Sequence, residues 1–483
     1  MAPMSAMMDF LRGKPRSGLF HYRLERDDWI RFLALPGRLL PLLASWADEQ
    51  KATILLLDGE KPVLISTSLE LRRYHAPSSL YPVAAWGERM ARDLWGVEAL
   101  SAPDDAPALD DGSWAKTWPL SREGITVPGA GLTEPKGLYM SPCYVGLPGL
   151  VGLEYTLGGE GRLETVIPSI ASAHRGVLSQ LKGLTPEQAL PIVARISAGG
   201  FVAHPVAFLR AVEQAGGIYP VPHERDTRLL LLEIERISLH LFDLSQTARL
   251  VQADLFATLC DQMRETLAAL CASYGFSRRL TDVITLDEKQ RERIEIVPLA
   301  QAVREAIEPK FSLLSDLYAL YGERFRGYGV LSNDTVWHYA IGGTTGRASG
   351  RYIDMRRSDV GMRLEALRSS GGYGGDAHGR NLQRLSEIRD SLALIEEIIA
   401  SFALEDETES FPALQEGLGV VESARGDIWY WLTLKEGRLD TIQIRDPALP
   451  VLTAFGEILR GEKPDSVPLI LASFGFSPAG LAL

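Results

Sequence analysis

Apolar residues in this chain recur with two periods. Spacing by three and four, the helical period, runs through Pro186–Ser197, Pro205–Gln214, Asp226–Leu250, Asp254–Tyr274, Leu286–Ala319 and Leu382–Phe402, and predicts a helix over each. Within Arg228–Leu241 apolar residues fall on nearly every side, with Glu233, Glu235 and Arg236 interspersed, which predicts a helix buried on most of its faces. Short apolar runs predict strands at Ala52–Leu57 and Pro62–Thr67, joined by the turn Asp58-Gly59-Glu60-Lys61. Leu153–Leu157 and Leu163–Ile167 flank Gly158-Gly159-Glu160-Gly161 and read as a hairpin, and 419–444 alternates like strands.

Helical spacing also covers Met7–Leu11, Ala84–Leu94 and Asp27–Glu49, the last with a break at Pro36-Gly37. Residues 1–120 therefore read as a small α/β module, ending near an Asp-, Ala- and Pro-rich loop at 102–111. Residues 121–134 read as a linker. Residues 135–483 read as a larger, mainly helical body that opens on a β-rich stretch and carries a glycine-rich region from Gly342 to Gly375. The expected fold class is α+β.

Bulk properties narrow the function. A length of 483 residues suggests two to three cores, since single cores stop growing near about 250–300 residues. The net charge of −12, without a long basic run, argues against nucleic acid and anionic lipid as direct partners. Cys143, Cys260 and Cys271 form no C-x-x-C pair, so neither a disulfide framework nor a cysteine-built metal site is expected. The first residues lack a signal-peptide core, and no apolar run reaches spanning length. No P-loop and no G-x-G-x-x-G between a strand and a helix is present, so any link to NADH is expected through another subunit.

Four groups of residues carry a family resemblance. Tyr81–Val97, with Trp86, Glu88, Arg89, Asp93 and Gly96 in the pattern W-x-E-R-x-x-x-D-x-x-G, is similar to the signature of the C subunit of complex I. His174-Arg175-Gly176 resembles the H-R-G motif of the D subunit of complex I and of group 4 [NiFe]-hydrogenase large subunits. Arg228, Glu233, Arg236 and His240 match their central helix pattern R-x-x-x-x-E-x-x-R-x-x-x-H-L. Gly346–Gly350, Arg356-Arg357, Asp376, Arg380 and Val421–Asp427 match later motifs in order. The combination resembles the fused large subunits of the formate hydrogenlyase and hydrogenase-4 type.

In those hydrogenases two C-x-x-C pairs hold nickel and iron, because thiolates are soft anionic donors. The resemblance puts Ser197 and Gly200 at the first pair and Ser477 and Gly480 at the second. Serine is a poor neutral ligand and glycine offers no side chain, so no metal is expected and nickel–iron chemistry is excluded. In the D subunit of complex I the vacated pocket receives quinone through a histidine and a tyrosine. Here Gly149 and Ala198 stand at those places, and neither side chain can hydrogen-bond a headgroup.

Arg195 and His204 flank the vacated pocket in sequence, His174 of the H-R-G motif lines the cavity or caps a strand, and the three are the catalytic candidates, for proton relay or headgroup binding. Glu233, Arg236 and His240, at i, i+3 and i+7, are the proton-coupling candidates; the alternative is a buried ion pair that only fixes packing. Trp86, Glu88, Arg89 and Asp93 are expected to tie the two modules together, and Asp376 with Arg380 to form a one-turn salt bridge. The resemblance implies electron transfer from an iron–sulfur cluster in a partner subunit to a quinone, with no cofactor bound directly. It also implies ion-translocating membrane subunits as partners and a peripheral place on the cytoplasmic face of the inner membrane. Hydrolytic and stand-alone metal-enzyme motifs are absent. A non-catalytic scaffold linking a soluble arm to the membrane subunits is the second reading.

Overall fold

Leu42–Ala47 is where tertiary packing overrides local spacing. A helix is expected from Asp27 to Glu49, yet the helix ends at Leu33 (Arg26–Leu33), and Leu42–Ala47 is a strand with all of its residues buried. Pro36 and Pro41 block helix continuation, and a run buried on both faces cannot be told from a helix by period alone.

The computed structural model describes residues 6–18, 20–36, 40–110, 112, 114–124, 138–140, 151–170, 174–286, 295–359, 367, 371–402, 412–481 and 483. Its first sheet contains β1 (His21–Leu24), β2 (Leu42–Ala47), β3 (Lys51–Asp58) and β4 (Lys61–Ser68), in the order β1-β4-β3-β2. The expected hairpin is there, with Asp58 opposite Lys61. Helix Ala84–Trp95 crosses β2 at Gly87, where a Cβ would sit 1.8 Å from the Ser45 carbonyl oxygen. Only glycine permits so close a crossing. Beside the sheet, β5 (Arg73–His75) and β6 (Glu98–Leu100) pair in parallel.

The body opens on β7 (Leu138–Met140), β8 (Val151–Leu157) and β9 (Leu163–Ser169), an antiparallel sheet containing the expected hairpin. Long helices follow at Pro222–Leu250, Asp254–Ser273, Ile296–Tyr321 and Ala377–Ala400, the first packing on each of the other three. The expected helix start at Leu286 precedes 287–294, which lie outside the described residues. β10 (Glu416–Ser423), β11 (Gly426–Lys435) and β12 (Arg438–Arg445) form an antiparallel sheet. Helix Ala203–Gly216 lies directly on β10, because Gly417 and Gly419 face the Ala211 and Ala207 carbonyls with no room for a Cβ. With 49% helix and 18% strand the chain is α+β.

The N-terminal sheet is joined to the body by side chains rather than by chain connection alone. Trp46 on β2 stacks on Trp431 of β11, with ring centroids 6.2 Å apart. Trp431 Nε1 donates to Glu416 at 2.7 Å, and the same carboxylate meets His21 Nδ1 at 2.6 Å. Lys51 Nζ lies over the Trp431 ring, 4.4 Å from its centroid. One apolar cluster runs through both parts, from Leu55 and Ile65 to Trp429, Phe455 and Ile470.

Candidate functional site

Two loops build the pocket that the sequence singles out. The Ser197–Gly200 loop precedes helix Ala203–Gly216, and the Ser477–Gly480 loop follows helix Val467–Phe474. Arg175 ties them together, donating to the Ile196 carbonyl at 2.6 Å and to that of Ala479. Ser197, Ser477 and His204 line one cavity of about 20 Å³, room for a single water.

The rest of that space is filled. A Cβ on Gly200 would lie 2.6 Å from His204 Cδ2, and a Cβ on Gly480 would lie 1.8 Å from Asp446 Oδ2. The imidazole and the carboxylate stand where side chains at the two glycine places would project. His204 Nε2 lies 3.4 Å from Asp446 Oδ2, and its Nδ1 is hydrogen-bonded to the Tyr430 hydroxyl at 2.9 Å. All three residues are buried, and burial holds the Tyr430 hydroxyl well above its ordinary pKa. The four positions offer no thiolate and no open coordination space, so they do not fit a nickel–iron centre. Among the described residues no group of three His, Cys, Asp or Glu side chains is arranged to hold a metal ion.

The other catalytic candidates lie elsewhere. Arg195 faces solvent, 53% exposed, and pairs with Asp282 through two bonds of 2.6 and 2.5 Å. It does not line the cavity. His174 lies against the Trp114 ring at 4.9 Å, with Nδ1 buried and without a partner among the described residues; burial and then Arg175 lower its pKa. Gly149 lies outside the described residues.

Glu233, Arg236 and His240 come together in a buried ionic network. Arg236 meets Glu233 at 3.2 Å and Glu387 at 3.6 Å, and His240 Nε2 meets Glu387 at 3.0 Å. Arg347 joins Glu387 at 2.8 Å to Glu422 at 2.7 Å. Arg236 also donates to the Ser423 carbonyl at 3.0 Å, which carries the network to the wall of the small cavity. Burial works against the Glu387 charge, but Arg347 and His240 outweigh it and hold the pKa well below the ordinary value. Glu422 behaves oppositely: burial wins and pushes it up to about 7.

A second cavity, of about 680 Å³, opens beside Ala198 between helices Pro222–Leu250 and Asp254–Ser273. Phe201, Leu239, Phe242, Leu267 and Leu280 make its apolar walls. Glu235 also lines it; its carboxylate accepts the Val202 and Ala203 amides at 2.8 and 3.0 Å, yet burial pushes its pKa up to about 7. Arg425 separates the two cavities and lines both, held by Asp243 at 2.7 Å.

The chain is similar to known proteins along much of its length. Residues 286–410 match the family described as respiratory-chain NADH dehydrogenase, 49 kDa subunit. The D subunit of the NADH-quinone oxidoreductase of Akkermansia muciniphila is 23% identical over 384 residues, covering 71% of this chain and 92% of that protein. Hydrogenase-4 component G of Escherichia coli is 25% identical over 443 residues, covering 83% of this chain and 74% of that protein. The chain is a homologue of the D subunit of complex I. A fused C/D subunit of the NADH-quinone oxidoreductase of Phocaeicola vulgatus is also similar, 25% identical over 317 residues, covering 60% of this chain and 58% of that protein. No described helix of this D-subunit homologue is long and apolar enough to cross a membrane.

Sequence reasoning on the homologue missed Tyr430 and Asp446, which reach the pocket from the C-terminal sheet and just beyond it. Nothing in their spacing marks them. Arg347 and Arg425 lie inside matched motifs, and that was the available signal. Asp376 and Arg380 do not pair as expected. Asp376 caps its helix, accepting from the Gly379 amide at 2.7 Å, while Arg380 donates to Ser473 and to the Gly329 and Gly375 carbonyls. Glu88, Arg89 and Asp93 bind loops of their own module: Glu88 holds Ser78, Arg89 pairs with Asp104, and Asp93 accepts the Ala108 and Leu109 amides.

Proposed function

We propose that this chain passes electrons from an iron–sulfur cluster in a neighbouring small subunit to a quinone-type acceptor, without nickel–iron chemistry. The observation that carries the reading is the contrast between the cavities: about 20 Å³ beside Ser197 and Ser477 and about 680 Å³ beside Ala198. The second volume lies within the ordinary range for small-molecule sites. Its walls suit an apolar ring, and Arg425 and Glu235 supply polar groups at the side facing the ionic network.

On this reading residues 1–120 are a module like the C subunit of complex I, 121–134 a linker and 135–483 a hydrogenase large-subunit-like body. The iron–sulfur subunit packs over the cavity mouth, ion-translocating membrane subunits lie beyond it, and the assembly sits on the cytoplasmic face of the inner membrane. His204, hydrogen-bonded to Tyr430 and facing Asp446, serves as a proton relay. Glu233, Arg236 and His240 couple protonation to the membrane arm.

Ala198→Trp tests this, because Ala198 is exposed at the cavity and a ring there fills space without displacing a core residue. Quinone reduction by the purified complex is expected to fall at least ten-fold, with unchanged thermal stability. The filled His204–Asp446 site favours a second reading, a coupling scaffold. Unchanged turnover in Ala198→Trp and in His204→Ala would support it over electron transfer.

A further inference from the structure

The large cavity carries more positive charge than a neutral quinone requires. Five arginines line it in a chain whose net charge is −12. Two are neutralised locally, Arg249 by Asp261 and Arg278 by Glu265. Among the described residues, neither Arg264 nor Arg279 pairs with a carboxylate. Arg264 lies over the Phe242 ring at 4.7 Å, which fixes its guanidinium at the edge of the apolar wall. Its pKa is drawn down by burial and then by Arg279, against the opposing pull of Asp261, Asp243 and Glu265. Arg425 spends Nε and Nη2 on Asp243 and leaves Nη1 buried without a partner among the described residues. The place beside that nitrogen is kept open by Gly199, where a Cβ would approach it to 2.9 Å.

Arg264 is half-buried with no carboxylate in ion-pair contact and Arg279 beside it is exposed, so an anion closing on the pair would add the direct contact that the more distant carboxylates do not supply. Guanidinium groups pair best with planar or tetrahedral oxyanions. The apolar wall beside them suits a ring or a short chain. We infer that the cavity takes an organic anion, an apolar ring or chain bearing one carboxylate, sulfonate or phosphate group, with Arg264 and Arg279 gripping the anion. The inference rests on the proposed acceptor site and narrows the acceptor to an acidic molecule.

Calorimetric titration of the protein, purified with its accompanying subunits, tests this with three probes. These are 1,4-naphthoquinone-2-sulfonate, 2-methyl-1,4-naphthoquinone and the redox-inert naphthalene-2-sulfonate. Both sulfonates are expected to bind at least ten-fold more tightly than the neutral quinone. Arg264→Gln with Arg279→Gln is expected to erase that advantage while leaving the neutral quinone and the melting temperature unchanged. Equal or tighter binding of the neutral quinone would overturn the anion inference and leave the quinone reading standing. Tight sulfonate binding without reduction of the quinone sulfonate by the complex would keep the anion site and remove the electron-acceptor role. Failure of all three to bind would overturn both.

Discussion

His204 and Asp446 lie 3.4 Å apart, in the space toward which side chains at positions 200 and 480 would project. The space beside the two glycines is therefore not empty: a polar pair occupies it, and side chains added at either position must collide with it. Gly480→Ala is expected to destabilise the fold by about 1–3 kcal/mol, the usual range for overpacking a close-packed site. Gly159→Ala is the control, with nothing within 4 Å of its added Cβ, and is expected within about 0.5 kcal/mol of wild type. Urea denaturation midpoints at constant m-value measure both.

Arg195 is expected to be dispensable. Its pair with Asp282 is geometrically good, but both side chains are about half exposed. Exposed pairs contribute about 0.2–1 kcal/mol. Arg195→Ala should lower stability by no more than that and leave turnover unchanged. A several-fold loss of turnover with an unaltered melting temperature would return Arg195 to the chemistry.

These two cases show what was legible in the sequence. The motif order located both loops and the network helix, because helix-borne residues three, four and seven apart fall on one face wherever the helix is placed. The strands of the β3–β4 and β8–β9 hairpins were legible from their turns. What could not be read was which side chains return from distant strands. Tyr430 and Asp446 lie more than two hundred residues beyond His204 and meet it only after β10, β11 and β12 have packed on helix Ala203–Gly216. Arg195 flanks the pocket in sequence, yet its side chain leaves the end of its helix toward Asp282. Leu42–Ala47 went the other way: its apolar residues suit either helix or strand, and the partners that decide the matter, Ala84–Trp95 and β3, lie outside the segment.

Arg347 is the hub of the buried network, touching both Glu387 and Glu422. Burial opposes its charge, but Glu387, Asp354 and Glu422 together raise its pKa. Arg347→Met keeps bulk and removes the cation that bridges Glu387 and Glu422, leaving Glu387 only its longer contact to Arg236 and its bond to His240. The expected loss is about 3–5 kcal/mol, as for other buried pairs broken on one side. Arg347→Lys should recover only part of it, because one ammonium cannot reproduce the guanidinium fork that bridges two carboxylates. Chemical denaturation of the three proteins checks the order.

Asp390 gives a pH signature. Burial raises its pKa to about 7; Arg356 opposes the shift, and Glu387, Asp354 and Glu233 add to it. A carboxyl with a raised folded-state pKa holds its proton more tightly folded than unfolded. Its contribution to stability is complete below the unfolded pKa and declines as pH rises toward 7. Asp390→Asn, which mimics the protonated form, should remove up to about 1.4 kcal/mol per pH unit from the slope of stability between about pH 4 and 7. The variant should match or exceed wild type above pH 7. Wild-type and variant slopes that coincide would show that Asp390 is ionised throughout.

Trp431 tests whether the N-terminal module and the body unfold as one unit. Its ring stacks on Trp46, lies under Lys51 and donates to the Glu416 carboxylate that also meets His21. Three of those four partners belong to the first seventy residues, so one side chain carries much of the join. Trp431→Ala removes a large buried ring, and the expected cost is about 3–5 kcal/mol. The form of the transition is more telling than its midpoint. In the wild type, tryptophan fluorescence and far-ultraviolet circular dichroism should report one coincident transition, because the apolar core is continuous across the two parts. In Trp431→Ala the two probes should separate, the N-terminal sheet melting first while the long helices of the body persist. Trp431→Phe keeps the stack but loses the Nε1 donor, so it should cost less and preserve coincidence. If the probes stay coincident in Trp431→Ala, the shared apolar cluster alone would be enough to join the modules, and the indole would be one contact among many.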